Sequence, residues 1–145
     1  MSDSTDTPIT EIDRERALEL LATESLGRLV TVHDGRAEIF PVNYALSADG
    51  KILFRTAEGT KLADITVHPD VLFQVDHIEG DSAWPIVARG TARRLDSFTE
   101  INQAEELDLK PWIPTLKYNF VEITPEQLGG RGFTFGEEPE RYTGY

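Results

Sequence analysis

The chain has no cysteine among its 145 residues. That removes disulfides, thiol catalysis, iron–sulfur clusters and thiolate zinc sites from consideration. Basic residues are also scarce. Fourteen Lys and Arg stand against 26 Asp and Glu, for a formal net charge of −12, which argues against a polyanionic nucleic-acid partner. No apolar run approaches the roughly 20 residues needed to span a bilayer. The first residues are acidic and polar, with no basic segment leading into an apolar one, so no signal peptide is visible and a cytoplasmic location is expected. The three histidines, His33, His68 and His77, fall in a turn, a breaker and a strand end. None stands with carboxylates at metal-ligand spacing, so no metal is expected. The GxSxG elbow and the P-loop are missing too, which leaves nucleophile-elbow hydrolysis and P-loop phosphoryl transfer without local support.

What is present suits one folded domain. With 39% hydrophobic and 28% charged residues, the composition is that of an ordinary globular protein with a real core. A domain over residues 9–135 is expected, with flexible tails at 1–8 and 136–145. Thr10 or Asp13 begins a helix reaching about Ala22, with apolar residues at helical spacing. Strands follow at 26–33 and 36–47, joined by Asp34-Gly35, and at 52–56 after Asp49-Gly50, both strong hairpin signals. A short helix at 59–67 ends at His68-Pro69-Asp70. Strands at 71–78 and 82–95 come next, then a helix at 97–107 that Ser97 and Glu100 open as a capping box. A loop at 108–114 leads to a last strand, 117–124, and the Gly-rich chain beyond Gly129 reads as a tail. About six hairpin-rich strands and three short helices make a small, mainly antiparallel β-barrel.

Residues 39–62 organise the rest. A strand ends on Arg55 and Thr56, and a helix begins on Thr60 and Lys61. A strand end followed by a helix start with open backbone amides, flanked by two cations and two hydroxyls, is a way to hold a phosphate group. Solvated surface charge is the plainer reading of the same residues, and Glu58 must point away for the phosphate to fit. Pro41 cannot donate to a ladder, so it belongs at a sheet edge or a bulge. A bulge would leave neighbouring backbone groups open to a planar ligand.

PVNY at 41–44, FRT at 54–56 and GTKL at 59–62 resemble the pyridoxamine 5'-phosphate oxidase-like family, in particular its small actinobacterial-type, flavin-binding split-barrel branch. LGRLV at 26–30, RG at 89–90, PW at 111–112 and GR at 130–131 extend the resemblance over about 20–131. It implies a split antiparallel β-barrel that works as a homodimer, with flavin held at the subunit interface. Arg55, Thr56, Thr60 and Lys61 would bind the FMN phosphate, with Phe54 and Leu62 packed beside them. Pro41, Val42 and Asn43 would lie along the isoalloxazine. Trp84, Trp112 and Arg131 would come from the second subunit, although the tryptophans could equally be core or interface packing. Three features depart from the family pattern. Gly132 stands where an arginine often follows the GR pair, Pro85 interrupts SAWPIV, and the C-terminal Arg/His motif for vitamin B6 substrates has no counterpart. The expectation is therefore an FMN-binding oxidoreductase of unknown substrate that needs no side chain as catalyst. A deazaflavin-dependent reductase of the same fold, or a non-catalytic flavin-binding or degenerate dimeric module, are the alternatives.

Overall fold

The computed structural model describes residues 9–57, 59–107, 109 and 119–136. The expected tails therefore lie outside the described residues, apart from Gly136. Among these residues, seven antiparallel strands form one sheet: β1 (Ile9–Ile12), β2 (Leu26–His33), β3 (Arg36–Leu46), β4 (Ile52–Thr56), β5 (Asp70–Glu79), β6 (Ser82–Arg94) and β7 (Asn119–Thr134). Their order is β1-β7-β4-β3-β2-β5-β6, and β6 pairs back onto β7, closing the barrel. The β2–β3 connection is the Asp34-Gly35 turn, with φ of 51° and 73°. Two positive φ values match the twist of the flanking strands, which is why Asp-Gly serves there.

Three helices complete the fold of the described residues: α1 (Arg14–Thr23), α2 (Thr60–Val67) and α3 (Phe98–Glu105). Asp13 caps α1, accepting from the Arg16 N–H at 2.9 Å, and Ser97 caps α3, accepting from the Glu100 N–H at 3.1 Å. Leu20 and Leu21 of α1 and Leu62 and Ile65 of α2 join Leu29, Phe54, Phe73, Val75, Ile86, Val121 and Ile123 in the barrel core. A smaller cluster lies outside the barrel, where α3 covers Leu53 and Phe120. Strand β4 is thus buried on both faces, which accounts for its unbroken apolar run.

The seven strands exceed the expected six by β1, which pairs with residues 130–133 of β7. The last strand also outruns the expected end at Pro125 and continues to Thr134. Pro125 is tolerated because the β6–β7 register shifts between Arg89 and Gly90, directly opposite it. Glycines of β6 and of the stretch that read as a tail serve close approach. A Cβ on Gly90 would collide with the Thr124 carbonyl oxygen, and one on Gly130 with the Pro85 carbonyl oxygen. Gly27 of the LGRLV run is likewise pressed against the Phe73 ring.

Candidate functional site

Strand β4 delivers Arg55 and Thr56 to its end, and after Ala57 and Glu58 the chain enters α2 at Gly59. Gly59 has φ 152°, a conformation open to glycine, and α2 has no side-chain cap. Helices α1 and α3 are both capped by side chains, whereas the N-cap of α2 is Gly59, which has no side chain to offer its first-turn amides. Aromatic faces hold the two cations. The Arg55 Cζ lies 5.1 Å from the Phe120 ring, and the Lys61 Nζ lies 5.2 Å from Phe40 and 6.0 Å from Phe54. Each cation is held against a ring face by the ring quadrupole. Phe54 and Leu62 are buried in the core beneath. Thr56 is buried as well, with its hydroxyl donating to the Ala57 carbonyl at 3.2 Å. Glu58 lies outside the described residues.

Pro41 sits at an edge. The β2–β3 register runs unbroken from Leu26–Asn43 to His33–Arg36, so there is no bulge. The Tyr44 N–H donates to the Ser25 carbonyl at 3.0 Å. By strict alternation, the Pro41 nitrogen then points away from β2. On that side β4 pairs with β3 only from Tyr44 to Leu46, so residues 36–43 have no β4 partner. Pro41 is exposed, Val42 is buried in the core, and the half-buried Asn43 amide donates to the Ser25 carbonyl at 3.4 Å. Tyr44 belongs to the interior: its hydroxyl donates to the Leu21 carbonyl at 2.6 Å. Burial, with the Glu24 carboxylate adding to it, holds the phenol far above its usual range. Tyr44 is therefore a tether between the barrel and α1, not a proton donor.

The remaining expected residues are elsewhere. Trp84 is half-buried on β6, its ring centroid 5.6 Å from that of His77. Arg131 is exposed on β7 opposite Glu11 and lines a cleft of about 510 Å³ with Pro85, Val87 and Phe133. Arg55 pairs with Phe120, and Arg131 lies eleven residues further along the same strand. That is about 35 Å of extended chain. Trp84 and Arg131 thus lie toward the opposite end of the β6–β7 pair from the Phe120 that faces Arg55. Trp112 lies outside the described residues. A second cleft, of about 660 Å³, shares Arg89 and Gln127 with the first and reaches Val30, Val32 and Leu72 on the outer sheet face.

Residues 13–132 match the family model described as pyridoxamine 5'-phosphate oxidase. The chain belongs to that family. A Corynebacterium glutamicum protein provisionally named pyridoxamine 5'-phosphate oxidase is 45% identical, with a TM-score of 0.82, covering 92% of this chain and 98% of that one. The FAD binding protein from Mycobacterium smegmatis is 35% identical, with a TM-score of 0.75, covering 88% and 100%. Uncharacterized protein Rv3129 of Mycobacterium tuberculosis is 37% identical over 90 residues, 62% of this chain and 82% of the relative.

Two departures from the family pattern meet at one place in the barrel of this family member. The indole of Trp84 lies where a Cβ on Gly132 would be, so no side chain fits after Arg131 while Trp84 is there. The β6–β7 register passes from Ala83–Phe133 to Ile86–Gly130, skipping Trp84 and Pro85. A proline costs no ladder bond to β7 in that gap. Sequence reading missed Phe40 and Phe120 as the aromatic supports of Lys61 and Arg55. Phe40 adjoins Pro41 and was in plain view, but Phe120 becomes a neighbour of Arg55 only through strand register.

Proposed function

We propose that this protein binds FMN at the β4–α2 junction and works as a homodimeric flavin-dependent oxidoreductase. The observation that carries the reading is the α2 start, without a side-chain cap, between Arg55 and Lys61. Two cations and open first-turn amides suit a phosphate dianion. Thr56 and Thr60 complete the set in sequence, and Pro41, Val42 and Asn43 form the adjoining edge along which the ring system would lie. The bound flavin would supply the hydride or electron chemistry, and the protein binding and orientation. Family membership and the M. smegmatis relative, named for FAD binding, support a flavin.

The homodimer reading rests on distance and on surface. In this reading Trp84 and Arg131 would reach the flavin from a second copy. The outer sheet face carries exposed Ile39 and Val32 and half-buried Val30 and Leu72, with Ile39, Val30 and Leu72 in register across β3, β2 and β5. Such an apolar face suits burial against a partner.

A deazaflavin in place of FMN needs the same phosphate site, and FAD is the reading that the M. smegmatis relative favours. A binding module without catalysis keeps the site and lacks turnover. The deciding experiment is titration of the purified apo-protein with FMN, FAD and a deazaflavin, followed by fluorescence. Tight FMN binding, weakened strongly by the Arg55→Ala/Lys61→Ala double change, is the expected result. Each charged hydrogen bond is worth about 1.5–3 kcal/mol. Unchanged affinity in the double variant would remove the phosphate assignment, and a monomeric mass at micromolar concentration would remove the interface site.

A further inference from the structure

Among the described residues, three buried polar atoms stand without hydrogen-bond partners: Thr31 Oγ1 and His33 Nδ1 on β2, and Asp64 Oδ2 on α2, which packs against that strand. Asp64 is 4% exposed. A carboxylate oxygen that has left water without gaining a donor is unfavourable, and folded proteins seldom leave one so. The group best placed to answer it is His33, whose Nδ1 is 3.9 Å from Asp64 Oδ1 and whose Nε2 is 3.2 Å from Asp34 Oδ2. A neutral imidazole has one N–H and can satisfy one of these carboxylates; an imidazolium has two and satisfies both.

The surroundings are accounted for. His68, the C-cap of α2, places its ring centroid 5.4 Å from that of His33, and its N–H donates to the Asp64 carbonyl at 2.7 Å. Arg36 faces His33 across the hairpin, and Asp70, Arg89 and Glu126 share a cleft with Asp34 and His68. These groups do not form a metal set, since no three His, Asp or Glu among the described residues converge on a metal position. Asp64 lies one turn into the helix that begins with Thr60 and Lys61.

We propose that His33 and Asp64 form a proton-dependent brace that positions α2, so that phosphate binding at its start tightens when His33 is protonated. The inference rests on the flavin reading for its ligand and on the buried cluster for its mechanism. Imidazoles change charge across the physiological range, so the brace is made in acid and lost as pH rises.

The test measures FMN and riboflavin affinity of the wild type and of His33→Gln between about pH 5.5 and 8. The phosphate of FMN takes up a proton with a pKa of about 6, so the readout is the ratio of wild-type to variant affinity at each pH, in which that effect cancels. The FMN ratio is expected to be about three- to tenfold in acid, the worth of one net hydrogen bond, and close to one at the alkaline end. The riboflavin ratio should stay near one throughout. A ratio that does not change with pH, or that changes equally for riboflavin, overturns the brace. Asp64→Asn should reproduce the loss; if that buried change prevents folding, the half-exposed His33→Gln carries the test. His77→Gln is the control: His77 also sits between carboxylates, Glu24 at 2.7 Å and Glu79 at 3.3 Å, but it meets the end of α1. It should leave the FMN ratio unmoved. Should the wild type bind neither ligand, the flavin reading fails and the thermal midpoint of the ligand-free protein decides the brace. The midpoint difference between wild type and His33→Gln must then shrink from acid to alkaline pH; a constant difference overturns the proposal.

Discussion

The two ends of β7 are built for different tasks. At its start, Phe120, Val121 and Ile123 are no more than 4% exposed, locked between β4 and β6. At its far end, Gly129, Gly130 and Gly132 let neighbouring backbone and the Trp84 indole come close, while Arg131 and Phe133 face outward. The first end holds Arg55 still; the second presents a surface. One strand can do both because glycine trades side-chain packing for close approach. Truncation should therefore rank the two ends oppositely in stability and in assembly. Phe120→Ala is expected to cost about 3–5 kcal/mol in urea unfolding, as for other buried aromatics. Phe133→Ala, at a site 37% exposed, should cost under about 1 kcal/mol. If the proposed homodimer forms, sedimentation should reverse the order, with Phe133→Asp weakening self-association more than it lowers stability. Equal stability losses would erase the division.

A smaller effect sharpens the description of the far end. If the Trp84 indole occupies the space above Gly132, then Gly132→Ala alone forces it aside, at about 1–3 kcal/mol as for other overpacked sites. In a Trp84→Ala background the same substitution meets little resistance. A double-mutant cycle measured by denaturation should show that coupling. Additive effects would mean that the glycine serves the backbone alone.

The contrast between the ends also separates what the sequence made legible from what it did not. Hairpin chemistry at Asp34-Gly35 and alternation in residues 26–33 gave β2 and β3 nearly to the residue, Ser97 gave the cap of α3, and of Thr10 and Asp13 the second caps α1. The β4–α2 junction was legible because Arg55, Thr56, Thr60 and Lys61 are close in sequence. The second half of β7 was not, because Pro125 and the glycines beyond it carry the local signature of a turn. Their role is set by Gly90, Pro85 and Trp84, some 35–50 residues earlier, and only register brings these together. The Asp64–His33 contact is hidden for the same reason: Asp64 looks like one more surface acid on a short helix until α2 is laid on β2.

Tyr44 tests how completely the buried end excludes water. It lies in one cross-strand row with Phe54 and Val121, so it shares the environment of the start of β7. Its phenol, raised by burial and then by Glu24, keeps its proton in the folded protein after the unfolded chain has begun to lose it near pH 10. The unfolded state then binds fewer protons than the native one, so stability is complete below about pH 10 and falls as pH rises above it. Tyr44→Phe removes the bond to the Leu21 carbonyl, at about 1 kcal/mol near neutral pH. It also removes the alkaline penalty, so the gap between wild type and variant should narrow above pH 10 and then invert. Urea midpoints on both sides of that pH measure it. Parallel curves would mean that water reaches the phenol, and that the start of β7 is no drier than its far end.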